Sequence, residues 1–210
     1  MIKIAVLVSG GGTNLQALID CAEHHALANG KLDFVISSNA EAYALTRAER
    51  SGIATAVLRR RDFADSEAYG QALHTQLEAR GIGLIVLAGF MTVLPDSFCR
   101  RWENKIINVH PSLIPSFCGE GFYGLRVHEA ALQKGVKVTG ATVHFVSEVV
   151  DGGAIILQKA VDIAPEDTAQ SLQKRVMTEA EHIILPRAVA LFCEGRLSVA
   201  DGRVTIQPEI

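Results

Sequence analysis

No C-x-x-C pair occurs in this chain, and its four cysteines, Cys21, Cys99, Cys118 and Cys193, lie far apart. That spacing suits neither a zinc site nor the disulfide framework of a small secreted domain, so the thiols are expected to be reduced and mostly packed, with no metal. Long apolar runs are missing too. The first run, Ile2 to Val8, falls far short of the roughly 20 residues a membrane-spanning helix needs. With no cationic leader or small-residue cleavage site ahead of it, the expected compartment is the cytosol, with no membrane partner. An excess of positive charge is also absent: 20 Lys and Arg stand against 23 Asp and Glu, for a formal net charge of -3. No general basic field exists for a phosphate backbone, so small-molecule substrates are expected rather than nucleic acid. Internal repeats, low-complexity tracts and Pro/Gly/Ser-rich linkers are lacking, and nothing in the composition marks a second domain.

What the chain does have is apolar content, 49% of its 210 residues, enough to bury roughly 70% of the surface an unfolded chain of this length exposes. Short apolar runs at Ile2 to Val8, Leu32 to Ile36, Ala54 to Leu58, Leu84 to Ala88 and Ile106 to Val109 read as buried strands. Their near-continuous hydrophobicity requires cover on both faces. Between them, Leu15 to Ala28, Ala42 to Ser51, Glu67 to Arg80 and Pro95 to Arg101 have helical spacing or composition. The alternation predicts an α/β fold with a doubly wound, mostly parallel sheet. Downstream, Val138 to Val146 and Ala154 to Val161 alternate like strands around Asp151-Gly152-Gly153, adding an antiparallel portion. Thr168 to Glu194 reads as one long helix with Pro186 as a kink, and Asp201-Gly202 as the turn of a terminal hairpin.

Three segments carry chemistry. In Ser9-Gly10-Gly11-Gly12-Thr13-Asn14-Leu15 a strand ends and a helix begins, which presents free backbone N–H groups and the positive end of a helix dipole to an anion. Thr13 and Asn14 are expected to cap the helix or donate to phosphate oxygens. The glycines are not followed by the Lys of a P-loop, and Leu15 occupies the third glycine position of G-x-G-x-x-G. The second strand ends in Ser37-Ser38-Asn39 with no acidic residue to hold a dinucleotide ribose. A simple phosphate monoester fits better than NAD or ATP, and a tight turn that merely admits the helix is the competing reading.

The second segment is Asn108-Val109-His110-Pro111-Ser112-Leu113-Ile114-Pro115, at the end of the fifth strand. Alternation puts Asn108 and His110 on one side, where an amide donor and an imidazole can serve a developing oxyanion and a proton transfer. A strand-end His that is merely hydrogen-bonded remains the other reading. The third is Thr142 to Val146 followed by Ser147 to Gly153, whose Asp151 is either a site carboxylate or part of a common Asp-Gly-Gly turn. Ligands of open parallel sheets bind beyond the carboxyl ends of the strands where strand order reverses, which gathers Thr13, Met91 and His110 around one crevice.

With S-G-G-G-T-N, A-G-F-M, N-V-H-P-S-L-I-P and T-V-H-F-V followed by D-G-G in this order, the chain resembles the phosphoribosylglycinamide formyltransferase family from about residue 1 to 195. The resemblance implies transfer of a formyl group from 10-formyltetrahydrofolate, as co-substrate, to the amine of N1-(5-phosphoribosyl)glycinamide in purine biosynthesis, by a monomer or homodimer. It assigns catalysis to Asn108, His110 and Asp151, with His144 supporting Asp151 from behind. It gives the acceptor Gly12, Thr13, Asn14 and Glu181, and the folate Met91, Thr92, Val93, Leu94, Asn108, Ser147, Glu148, Val149, Val150 and Asp151. Residues 1–110 would then form the acceptor half and residues 111–210 the folate and catalytic half of one formyltransferase domain.

Methionyl-tRNA formyltransferase and formyltetrahydrofolate hydrolase are similar at N-x-H-P-S-L-x-P, but at 210 residues no RNA-binding barrel or regulatory module is expected. Water would also need no phosphate loop. A non-catalytic nucleotide- or folate-binding module would explain Gly10 to Asn14 but not the gathering of Asn108, His110 and Asp151. Two departures stand out. Ser66 falls where some relatives place a folate-contacting arginine, with Arg59, Arg60 and Arg61 nearby as either a substitute or a solvated face. The segment Cys118 to Gly124 is longer than the family's usual loop before Val127-His128-Glu129.

Overall fold

The computed structural model describes residues 1–208. Five strands, β1 (Ile2–Val8), β2 (Gly30–Ser37), β3 (Ala54–Val57), β4 (Ile82–Leu87) and β5 (Ile106–His110), pair in parallel. Two more, β6 (Val138–Phe145) and β7 (Ile155–Asp162), extend the sheet in antiparallel fashion, giving the order β3-β2-β1-β4-β5-β6-β7. The chain moves outward from β1 to β3, then returns to lay β4 on the other side of β1, so the reversal of strand order falls between β1 and β4.

The predicted cover on both faces is present, and the pleat explains it. Along β1, Ile4, Val6 and Val8 face α1 (Thr13–Glu23), α2 (Tyr43–Arg50), α6 (Ala169–Val176) and α7 (His182–Cys193) in the larger core. Ala5 and Leu7 face the other way, into a second core with Tyr69, Leu73 and Leu77 of α3 (Ser66–Ala79), Phe98 and Cys99 of α4 (Asp96–Arg101), and Trp102. All of these side chains are buried, so the first strand is apolar because both of its faces are interior.

Three expectations need correction. The first helix spans Thr13–Glu23 rather than Leu15 to Ala28, because His25 and Ala28 adopt positive φ (56° and 50°), which helical residues do not. A helix not anticipated, α5 (Leu125–Lys134), follows the long loop; its stop signal, Gly135 at φ 75°, was readable in the sequence. The long C-terminal helix is three pieces: α6, a π-helical turn at Met177–Glu181, and α7 with Pro186 inside it. Pro186 has no N–H to give the carbonyl of His182, and the backbone widens immediately before that carbonyl. Glu181, the last residue of the wide turn, is buried. The terminal hairpin is present as β8 (Leu197–Ala200) and β9 (Arg203–Ile206), joined by Asp201 and Gly202 with φ of 50° and 71°, the signs a type I′ turn requires.

Candidate active site

The first motif folds as a helix start that no side chain caps. Gly12 is the N-cap residue of α1 at φ 72°, without a side-chain hydrogen bond to the first turn, so Thr13 and Asn14 do not cap it as expected. Both hydroxyl and amide are used elsewhere: Thr13 Oγ1 donates to Met177 Sδ (3.0 Å) and Asn14 Nδ2 to Glu181 Oε2 (2.6 Å). The first-turn N–H groups are thereby left for a ligand. Ala44 packs so closely beneath Gly12 that an added Cβ would lie 2.6 Å from its Cβ and 2.8 Å from its Cα. A side chain is excluded there by contact as well as by φ. Gly10 and Gly11 have open space on their Cβ side, while their carbonyls are tied to α2 by Ala44 N–H (3.1 Å) and Arg47 Nε (2.9 Å).

Glu181 is buried, and burial pushes its carboxyl up while the Asn14 amide draws it back. The pair links α1 to the π turn. A chain of small polar groups closes the other side: Ser9 Oγ bonds Ser38 Oγ (2.6 Å) and accepts from the Met91 N–H (2.9 Å), joining the ends of β1 and β2 to the loop after β4. Within that loop Leu94 is buried, whereas Met91 and Val93 are exposed.

Beyond β5 the second and third motifs meet. Asn108 pairs with His144 across the β5–β6 ladder, and His110 with Thr142, which puts the polar side chains of both strands on one face. Asp151 approaches from the loop after β6: its Oδ2 lies 3.4 Å from His110 Nδ1 and its Oδ1 3.6 Å from His144 Nε2. Gly119 N–H donates to the same Oδ2 at 2.9 Å. Asp151 holds a left-handed φ of 54°, a conformation that Asp and Asn tolerate better than most residues.

The carbonyls around the two rings set their tautomers, because a carbonyl can only accept. His110 Nε2 donates to Phe117 O (2.9 Å), so Nδ1 is the bare nitrogen of the neutral ring and it faces the Asp151 carboxylate. A proton arriving on Nδ1 meets an anion already in place. His144 Nδ1 donates to Phe145 O (2.8 Å), leaving Nε2 to accept from Asn108 Nδ2 (3.2 Å). In this tautomer His144 holds the Asn108 amide, and its unprotonated Nε2 faces Asp151 Oδ1 without a proton to donate to it.

Burial lowers the His110 pKa, opposed by Asp151 and the Phe117 carbonyl and assisted by His144. Burial acts to raise Asp151, but the histidines and the Gly119 N–H outweigh it and hold the carboxyl below its ordinary value. A neutral imidazole beside a fixed carboxylate is the resting state at neutral pH.

Sequence reasoning gave no role to Phe117, Gly119 or His128. The first two belong to the long loop, which caps His110 and Asp151 through its backbone; backbone contacts leave no residue-type signal. His128, on α5, is fully buried with neither ring nitrogen hydrogen-bonded, and burial together with nearby His110 pushes it down to about 4. Of the remaining expected folate contacts, Ser147 forms a local turn through Val149, Glu148 pairs with Arg100, and Val149 and Val150 are exposed. Among the described residues no group of three or more His, Cys, Asp or Glu side chains could hold a metal ion, and no helix is long and apolar enough to cross a membrane.

Comparison with known proteins agrees with this geometry. The sequence profile described as formyl transferase matches residues 2–189. The phosphoribosylglycinamide formyltransferase of Haemophilus influenzae is 43% identical over 202 residues, covering 96% of this chain and 92% of the relative. The crystal structure of glycinamide ribonucleotide transformylase 1 from Symbiobacterium toebii matches with a TM-score of 0.93 and 42% identity, over 99% of this chain and 95% of that one. The trifunctional purine biosynthetic protein adenosine-3 of Homo sapiens is 43% identical over 95% of this chain, which spans 19% of that relative's length. Matched by the profile over nearly its whole length and by single-function relatives almost end to end, the chain belongs to the formyl transferase family, in its phosphoribosylglycinamide formyltransferase branch.

Proposed function

We propose that this chain transfers the formyl group of 10-formyltetrahydrofolate to the amine of N1-(5-phosphoribosyl)glycinamide, a step of purine biosynthesis. The observation that carries the proposal is the meeting of Asn108, His110 and Asp151 beyond β5, in a sheet whose first strand runs into an uncapped helix N-terminus. One end binds an anion; the other handles an oxyanion and a proton.

The acceptor's phosphate rests on the N–H groups at Gly12, Thr13 and Asn14, and Glu181 meets the rest of the acceptor. The folate lies along Met91, Thr92, Val93 and Leu94 and along Ser147 to Asp151. The amine attacks the formyl carbon, giving a tetrahedral intermediate with a negative oxygen and a positive nitrogen. Asn108 keeps one N–H free of His144, and that donor stabilises the oxygen. His110 takes part in moving the proton from nitrogen, and Asp151 balances the imidazolium while it lasts. The acceptor half is residues 1–110 and the folate and catalytic half residues 111–210, with Met91 to Leu94 reaching across. The setting is cytosolic, for a monomer or homodimer that uses no nucleic acid.

The Asn14–Glu181 pair makes a kinetic prediction. Asn14→Ala should raise the acceptor's KM far more than the folate's, because the amide belongs to the phosphate end of the crevice. Equal effects on both substrates count against the assignment. The function itself is tested by the need for acceptor. Tetrahydrofolate should form from 10-formyltetrahydrofolate only when the ribonucleotide is present. A hydrolase would release formate at the same rate without it, and a tRNA enzyme would prefer charged tRNA; either result overturns the proposal.

A further inference from the structure

The strands that carry the site also carry a row of polar side chains to which the reaction gives no task. His110 of β5 stands opposite Thr142 of β6, and Thr142 opposite Gln158 of β7, so the three lie side by side on one face of the sheet. Thr142 is fully buried and its hydroxyl is saturated. It donates to Ser112 O (2.7 Å) and accepts from the Ile114 N–H (3.0 Å) and from Gln158 Nε2 (3.0 Å). The same Nε2 gives its second hydrogen to Ile114 O (3.0 Å), although Gln158 itself is exposed. Gly140, two residues before Thr142, makes room for the same segment: a Cβ there would lie 2.9 Å from Leu113 Cδ2.

These bonds fix the chain that leads to Phe117. Pro115 follows Ile114 directly and its ring locks φ. Ser116 is held at both ends, its N–H by Leu113 O (3.0 Å) and its carbonyl by Ser112 Oγ (2.5 Å). Phe117 comes next at a left-handed φ of 50°, which a bulky residue keeps only where its surroundings impose it. Its carbonyl is the one that accepts from His110 Nε2. The loop is thus clamped at its start by two members of the row and delivers an acceptor to the third at its end.

A proton rides on that acceptor. Asp151 Oδ2, 3.4 Å from His110 Nδ1, would take a hydrogen bond from that nitrogen if it carried hydrogen, and the Phe117 carbonyl competes by taking one from Nε2. Displacing Phe117 lets the carboxylate draw the hydrogen to Nδ1, which then has no lone pair left for a proton from the attacking amine. We infer that Thr142 and Gln158 are positioning residues for His110: by holding Ser112 to Ile114 they seat the Phe117 carbonyl, which keeps the hydrogen of the ring on Nε2 and leaves Nδ1 open. The effect on rate rests on the function proposed above; the position of the hydrogen does not.

Thr142→Val keeps the shape and removes the hydroxyl. It should lower kcat about tenfold or more, as a slightly misplaced catalytic group does, with both KM values within about twofold of the parent. Nitrogen NMR of labelled histidine above neutral pH, assigned by the signals missing from His110→Ala, reads the hydrogen directly. The parent should show Nε2–H, and Thr142→Val a mixture with Nδ1–H. Thr142→Ser retains the hydroxyl and should restore the parental tautomer and most of the rate. Gln158→Ala, at an exposed position, should move both readouts the same way but less, by about twofold to threefold in kcat, and it decides the matter if Thr142→Val does not fold. A parental tautomer in the folded Thr142→Val protein, or in Gln158→Ala where that protein does not fold, would overturn the inference even if kcat fell, since a merely structural loss does not move that hydrogen. An Nδ1–H ring in the parent would overturn it at once. If the parent transfers no formyl group, the proposed function fails, and the NMR result still decides whether the row governs the tautomer.

Discussion

Asp151→Asn is expected to lower kcat by about 10²-fold or more while leaving the fold and both KM values near those of the parent. Asn is the informative replacement because it tolerates the left-handed φ of 54° that this position holds, and its side-chain oxygen can still accept from the Gly119 N–H. What it removes is the negative charge facing His110 Nδ1, the nitrogen left bare when Nε2 donates to the Phe117 carbonyl. Burial already lowers the His110 pKa, and Asp151 opposes that shift. Without the carboxylate the imidazole becomes harder still to protonate, so the acidic limb of kcat/KM should move to lower pH as the rate falls. A pH–rate profile beside circular dichroism would check both. A folded Asp151→Asn protein with parental kcat and an unmoved limb would reduce Asp151 to a turn residue. His110→Ala should fall into the same range of loss.

Gly153→Ala is expected to disable the site from outside it. A Cβ built at Gly153 would lie 1.8 Å from the Phe145 carbonyl oxygen and 2.8 Å from its carbon, a collision with backbone that no rotamer change relieves. That same carbonyl accepts from His144 Nδ1, and the other nitrogen of His144 holds the Asn108 amide and faces Asp151. Moving it therefore disturbs three side chains of the site at once, and it strains the antiparallel pairing at the bond from Phe145 N–H to the Ala154 carbonyl. We expect roughly a 10²-fold loss of kcat, since small displacements of catalytic groups cost about that much, together with destabilisation of about 1–3 kcal/mol from overpacking. Thermal melting and steady-state kinetics on one preparation would measure both, and a protein with parental Tm and kcat would show that the loop yields without consequence.

Much of the fold could be read from the chain because its signals are local. Ile2 to Val8 is apolar throughout, which demands two covered faces, and Gly10 to Gly12 followed by a helix marks where a strand stops. Asp201-Gly202 announces its hairpin by the φ it needs. The pairing of Asn108 with His110 on one face follows from the period of two along β5. Where reading went astray, the cause was a contact with something distant in sequence. Thr13 and Asn14 resemble helix caps, yet Met177 and Glu181, more than 160 residues away, claim them. The stretch from Thr168 has helical spacing throughout, yet the chain widens into a π turn at Met177–Glu181 before continuing through Pro186, which residue spacing does not announce.

Residue types and spacing by themselves determined the layered α/β architecture, the glycine-led helix start at Gly12, and the short set of polar side chains that meet beyond β5. Tertiary structure alone decided which nitrogen of His110 meets Asp151, that His144 steadies Asn108, and that the long loop contributes Phe117 O and Gly119 N–H. The physical reason is that periodicity and turn chemistry are properties of neighbouring residues, whereas tautomers and caps made by backbone depend on which groups the folded chain brings within about 3 Å of one another.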